Sequence, residues 1–259
     1  MSETTGPEKV ASAEQIGLSH REAAATPPRD AASWARKVDR LEVDPREGVR
    51  GTNVAGRRLT GPVQGFGKMW QKTYRMDAGQ IPPEQAIATW REHFPEFWPK
   101  GNRFAGALTG INPGDVALLD LAIGGGVKLS TGVFVLYADA ESFTLMTPQG
   151  HQFAGWITFS AERAGDTTTV QAQVLMRAND PLYELGMPVM QRKEDKFWIA
   201  TLTALGQRLG LSDPRVELTR TCVDSRRQWR HARNVWHNSM VRSVLQTATP
   251  SRRVKSSDS

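Results

Sequence analysis

His151 and Tyr74 are the side chains of this chain whose type and setting allow acid–base chemistry. An imidazole titrates at about 6.5, so it gives or takes a proton near neutral pH. His151 stands at the mouth of residues 147–160, TPQGHQFAGWITFS, after a turn signal made by Pro148 and Gly150. Neither residue has a catalytic partner at a recognisable spacing. The simpler account of residues 149–151 is a hairpin turn whose imidazole bonds to backbone, and it outweighs the catalytic one.

Other candidate motifs are weaker. Residues 124–130, GGGVKLS, carry glycines and a lysine but lack the phosphate-loop spacing, and they sit between two strand-like runs, which makes a hairpin. No G-x-S-x-G elbow occurs, and the histidines at 93, 151, 231 and 237 lack metal-ligand spacing, so neither a metal nor a cofactor is expected. Asp180, Glu184, Glu194 and Asp195 have Arg177, Arg192 and Lys193 nearby in sequence. Helix capping and a solvated face account for them most simply.

The aromatic residues suggest binding. Trp70, Tyr74, Phe134, Phe153, Trp156, Phe197 and Trp198, with Met146, His151 and Met176, are the candidates for lining an apolar pocket. They come from more than one alternation register, so they do not all share one face. A packed core uses the same residue types.

Composition narrows the classes. The chain has 259 residues, 39% hydrophobic and 23% charged, which is ordinary for a globular protein. Its single cysteine, Cys222, excludes an internal disulfide framework and suits a reducing, cytoplasmic setting. No run reaches the about 18 apolar residues of a membrane-spanning helix. The net charge is +6, yet residues 215–259 hold ten Arg or Lys against three Asp or Glu. The rest is therefore close to neutral, which argues against a nucleic-acid surface spread over the fold.

These residues must be positioned by strands. Residues 67–76 alternate, with Trp70, Lys72, Tyr74 and Met76 on one face. A helix opens at Pro82–Pro83, carries Ala86, Ile87, Trp90 and Phe94, and is followed by a short element at 97–99. Strand-like runs follow at 115–123, 127–137, 142–146, 152–163 and 167–177, joined by short turns, which implies antiparallel pairing. A helical turn at 182–185 is interrupted at 186–188, and a long helix runs over 191–209. Residues 1–45 read as mostly disordered, with a short helix at 31–41, and residues 249–259 as a disordered tail. Residues 212–248 read as a basic amphipathic helical extension with Trp229 and Trp236 on its apolar stripe. That stripe offers a peripheral membrane or self-association surface, with self-packing favoured.

The order of elements in 46–211 resembles the helix-grip fold of the START-like, or SRPBCC, superfamily. The stretches GPVQGFGKMWQKTY (61–74), FPEFWPKGNRF (94–104), TPQGHQFAGWITFS (147–160) and NDPLYELG (179–186) look like those of a DUF1990-type bacterial group within it. The resemblance covers residues 61–211. It implies an α+β fold, a curved antiparallel sheet of six or seven strands wrapped around a long helix, with a cavity between them. It also implies binding or carrying of a lipid, isoprenoid or polyketide-like molecule. The alternatives are a polyketide cyclase or dehydratase using His151 or Tyr74, and a scaffold that binds no ligand. The superfamily brings no shared catalytic residue set to these positions.

Overall fold

A computed structural model describes residues 30–43, 51–106, 110–124 and 127–248. Most of the expected 1–45 extension, two glycines of the expected hairpin and the 249–259 tail lie outside them.

Eight antiparallel strands form one curved sheet. They are β1 (Met69–Asp77), β2 (Arg103–Ala105), β3 (Val116–Gly124), β4 (Val127–Ala138), β5 (Ser142–Met146), β6 (Phe153–Ala164), β7 (Thr167–Ala178) and β8 (Val216–Asp224). Their spatial order is β2-β3-β4-β5-β6-β7-β1-β8. Strands β3 to β7 are sequential hairpin neighbours. The first strand closes the set by pairing with β7, with Tyr74 opposite Ala172.

Two helices, α1 (Pro83–Glu92) and α2 (Pro181–Arg208), cover one face of the sheet. The apolar positions of α1 do what their spacing predicts: Ala86, Ile87 and Trp90 are buried, as is Phe94 just beyond it. The Trp90 ring meets Phe159 of β6 edge-on, with centroids 4.9 Å apart. Sinking a side chain of this size contributes about 2–3 kcal/mol. This is a helix-grip architecture of the α+β class, as expected.

Four sequence expectations are corrected. The long helix is one unbroken run of 28 residues with Pro188 inside it. Proline removes one helical N–H, but here it lies on the exposed side with Leu185 and Val189. Water can serve the carbonyl left over, so the helix continues. Second, residues 34–43 are not helical. Trp34 makes a β-bridge to Tyr137, and Leu41 is buried with Val54, Leu118 and Phe134 in a second apolar cluster. Third, the 212–248 extension is not one amphipathic helix. It contributes β8, then a 3-10 segment (Trp229–His237), then the short helix α3 (Ser239–Ala248). The stretch VELTRTCVD alternates and is β-branched, so it pairs with the open edge of β1 over eight residues. Fourth, that pairing and the short β2 raise the strand count to eight.

Among the described residues, no helix is long and apolar enough to cross a membrane.

Candidate functional site

A cavity of about 730 Å³ lies between the sheet and α2. Strand alternation explains its walls. Successive side chains point to opposite faces, so Leu119 and Leu121 of β3, Val133 of β4, Leu145 of β5 and Val174 and Met176 of β7 face it together. On the other side Phe197 and Trp198 of α2 form a wall with Trp98. Those rings stack edge-on, Trp98 to Phe197 at 4.9 Å and Phe197 to Trp198 at 4.8 Å.

Six candidate residues border the cavity: His151, Phe153, Trp156, Met176, Phe197 and Trp198. Four do not. Phe134 lies in the second apolar cluster with Leu118, on the opposite face of the sheet. Met146 pairs with Phe134 and with Trp156, and its methyl group lies beside the Trp156 ring where Gly61 passes. Trp156 therefore borders the cavity while its ring packs outward. These three residues occupy the other alternation register, which is why they separate from Phe153 and Met176. Trp70 shares the inner register with Tyr74 but lies outside the cavity, as does Tyr74 itself.

His151 is 6% exposed. Its Nδ1 lies 3.0 Å from the amide nitrogen and 3.1 Å from the carbonyl oxygen of Phe153. Burial pushes its pKa down to about 4, so the ring is neutral at pH 7. Among the described residues no carboxylate is hydrogen-bonded to it. The ring sets the conformation of its turn and presents an uncharged face to the cavity.

Tyr74 is tied up differently. Its hydroxyl donates to Asp195 Oδ1 at 2.8 Å. Burial, the Glu194 charge and that bond push its pKa far up, so it holds its proton. It belongs to a buried ionic cluster that sequence reading missed. Lys72 has no exposed surface. Its ammonium donates to Glu194 at 2.7 Å, to Asp195 at 2.9 Å and to the Gln191 carbonyl at 3.4 Å. Arg220 of β8 donates to the other Asp195 oxygen at 2.5 Å. Lys72 and Arg220 are direct cross-strand partners. Two cations so placed repel, and the Asp195 carboxylate between them turns the pair into a bridge. Burial raises the pKa of Glu194, against the pull of Lys72. Burial also acts to raise Asp195, but hydrogen bonds from Lys72 and Tyr74 and the nearby cations hold it below the usual range. Glu194 and Asp195 are therefore not on a solvated face.

The end of the cavity near His151 is closed by the C-terminal segment. Met240 of α3 lines it. Asp180 caps α2, its Oδ1 accepting from the Leu182 and Tyr183 amides, as its position before the helix predicts. Its other oxygen accepts from Asn238 at 2.8 Å. The Asn234 amide donates to the carbonyls of Gln64 and Asn179, both at 2.9 Å. Ser239 N–H donates to the Gly150 carbonyl at 2.9 Å. The Met240 amide donates to the Tyr183 hydroxyl at 3.0 Å.

No family model and no curated protein sequence matches the chain. Solved structures do match over about half of it. A START superfamily protein from Mycobacterium smegmatis is 23% identical, with a TM-score of 0.36, over 56% of this chain and 98% of its own. The protein Ara h 8.0201 is 15% identical, with a TM-score of 0.40, over 56% and 99%. The di-domain aromatase/cyclase StfQ of steffimycin biosynthesis is 10% identical, with a TM-score of 0.44, over 55% of this chain and 52% of its own.

Proposed function

We propose that this protein binds or carries a hydrophobic small molecule, of the lipid, isoprenoid or polyketide-like kind, between the sheet and α2. The observation that carries this reading is the cavity itself. At about 730 Å³ it falls within the roughly 300–1,000 Å³ typical of small-molecule sites. Its walls are mainly apolar, and its histidine is uncharged at pH 7. A place near the DUF1990-type group and a cytoplasmic setting, which suits the free, exposed Cys222, belong to the same reading. The test is native mass spectrometry after incubation with a total lipid extract. A retained adduct, removable by organic solvent, is expected. Ile157→Trp, which puts bulk into the cavity, should cut the adduct roughly tenfold or more, since the ligand loses the space that holds it. A bare polypeptide mass under all conditions overturns the reading.

A second surface supports membrane attachment. Three residues make one turn of a 3-10 helix, so the segment Trp229–His237 has three faces. His231, Asn234 and His237 form the inner one, with Asn234 buried. Arg230, Arg233 and Trp236 form an outer one, and all three are exposed. Trp229, on the third, is 73% exposed and Trp236 77%. Self-association across a two-fold axis would bring this arginine row against its own copy. An anionic bilayer surface complements it, with tryptophan at the interface. Cosedimentation with vesicles containing phosphatidylglycerol is expected, and none with pure phosphatidylcholine. Trp229→Ala with Trp236→Ala should weaken binding by about tenfold or more. Equal partitioning to both vesicle types, or a stable dimer in solution, would overturn this assignment.

A further inference from the structure

We propose that the molecule held in the cavity carries an uncharged carbonyl oxygen, and that the Nε2–H of His151 donates a hydrogen bond to it. This deepens the binding reading above and rests on it.

The surroundings of Nδ1 place the ring proton. The Phe153 N–H donates to Nδ1 at 3.0 Å, and the Phe153 carbonyl oxygen lies 3.1 Å from the same atom. One neutral nitrogen cannot serve both. At this point of the sheet the ladder bond runs from the Asn179 N–H to the Gln152 carbonyl. Phe153 and Ala178 are therefore a non-hydrogen-bonded pair, and the Phe153 N–H points away from β7. Nδ1 is its acceptor. Buried N–H groups are left unpaired more rarely than buried carbonyls. Nδ1 thus accepts, and the neutral ring carries its proton on Nε2.

That Nε2–H is not used inside the protein. Among the described residues it has no hydrogen-bond partner. Nor is it one of the side-chain atoms sealed without a partner in the core, as Trp98 Nε1 and Thr201 Oγ1 are. It therefore reaches accessible space. For a residue 6% exposed that lines the cavity, that space is the cavity.

A carbonyl suits this donor, because it accepts and brings no hydrogen of its own. A hydroxyl would need a further acceptor, and the Thr147 hydroxyl on the cavity wall is committed to the backbone of Thr60 and Gly155. A carboxylate would set a charge against a ring that stays neutral at pH 7 and returns no countercharge.

The experiment titrates the full chain with the fluorescent naphthyl ketone Prodan and with its analogue bearing propyl in place of propionyl. His151→Asn removes the donor but keeps the turn, because an Asn side-chain oxygen accepts from the N–H two residues on. His151→Gln sets an amide N–H close to where Nε2 stands. His151→Asn should weaken ketone binding about three- to tenfold, the span of one net hydrogen bond, and leave the propyl analogue unaffected. His151→Gln should restore most of the ketone affinity. Bound ketone should emit further to the red in wild type than in His151→Asn, since a hydrogen bond to the carbonyl stabilises its charge-transfer excited state. Nitrogen NMR of the wild-type ring needs no variant to fold: it should show the Nε2–H tautomer, with the Nε2 signal moved by the ketone and not by the analogue. A ring protonated on Nδ1 overturns the proposal. So does an equal loss of both probes in His151→Asn, which would mark a structural role, or an unchanged ketone affinity, which would shift the contact to Gln152. If neither probe binds while a lipid adduct is still seen by mass spectrometry, this proposal alone falls. If the adduct is absent too, the cavity reading falls with it.

Discussion

Replacing Lys72 by methionine is expected to destabilise the protein by about 3–5 kcal/mol, the cost of stripping one partner from a buried ion cluster. The variant keeps most of the buried methylene volume, so little of the loss is packing. It leaves Glu194 and Asp195 facing each other with Arg220 alone. The pH dependence separates this cause from simple misfolding. Burial already raises the Glu194 pKa against the pull of Lys72, so removing Lys72 moves it further above its unfolded value. Such a group stabilises below the unfolded pKa and loses that contribution as pH rises through the folded one. The deficit relative to wild type should therefore be larger at pH 8 than at pH 5. Adding Glu194→Gln to Lys72→Met removes one of the two stranded charges and should recover part of the loss. Urea denaturation at both pH values gives these quantities. A loss under about 1 kcal/mol, typical of a solvated pair, would mean that water reaches the cluster.

The cluster is instructive because its residues were individually legible. Alternation placed Lys72 on the same face as Trp70, Tyr74 and Met76, and a lysine in an apolar register demands an acidic partner. On α2, residues 194, 198, 201 and 205 and residues 195, 198, 202 and 205 follow helical spacing, so Glu194 and Asp195 share the face of Thr201, Leu202 and Leu205, all buried. Local charge pairing pointed instead to Arg192 and Lys193, their sequence neighbours. The true partners are about 120 residues away, a separation that no local pattern reports. The strands from 115 to 177 were readable because each is a hairpin neighbour of the next. The eighth strand was not. Its burial alternates weakly at an exposed edge, and the basic residues after it suggested helix. Its reason for being a strand is the free edge of β1, which exists only once the sheet has closed. The pocket set divided for a related reason. Period two assigns residues to two faces without saying which face the helix will cover, and Phe134 and Met146 took the other one.

Gly150→Ala is expected to free the C-terminal segment from the end of the cavity, at a cost of about 2–4 kcal/mol from left-handed strain together with overpacking. Gly150 has φ +94°, a conformation that side-chain-bearing residues rarely adopt. An added methyl group would also sit well inside contact distance of the His237 carbonyl oxygen and close to the Ser239 hydroxyl. Because Ser239 N–H donates to the Gly150 carbonyl, the turn before His151 and the start of α3 cannot separate without losing that bond. Gly165→Ala is the matched control. Gly165 also has positive φ, +64°, but nothing lies within 4 Å of an added methyl, so only the conformational cost of about 1 kcal/mol applies. Hydrogen exchange should separate the two: faster exchange across residues 229–248 in Gly150→Ala, and unchanged exchange there in Gly165→Ala. Since Met240 lines the cavity, loosening this segment should also speed ligand release. Equal exchange in both variants would mean that the segment is held by its other bonds, those of Asn234, Asn238 and Met240 among them, with the Gly150 contact incidental to it.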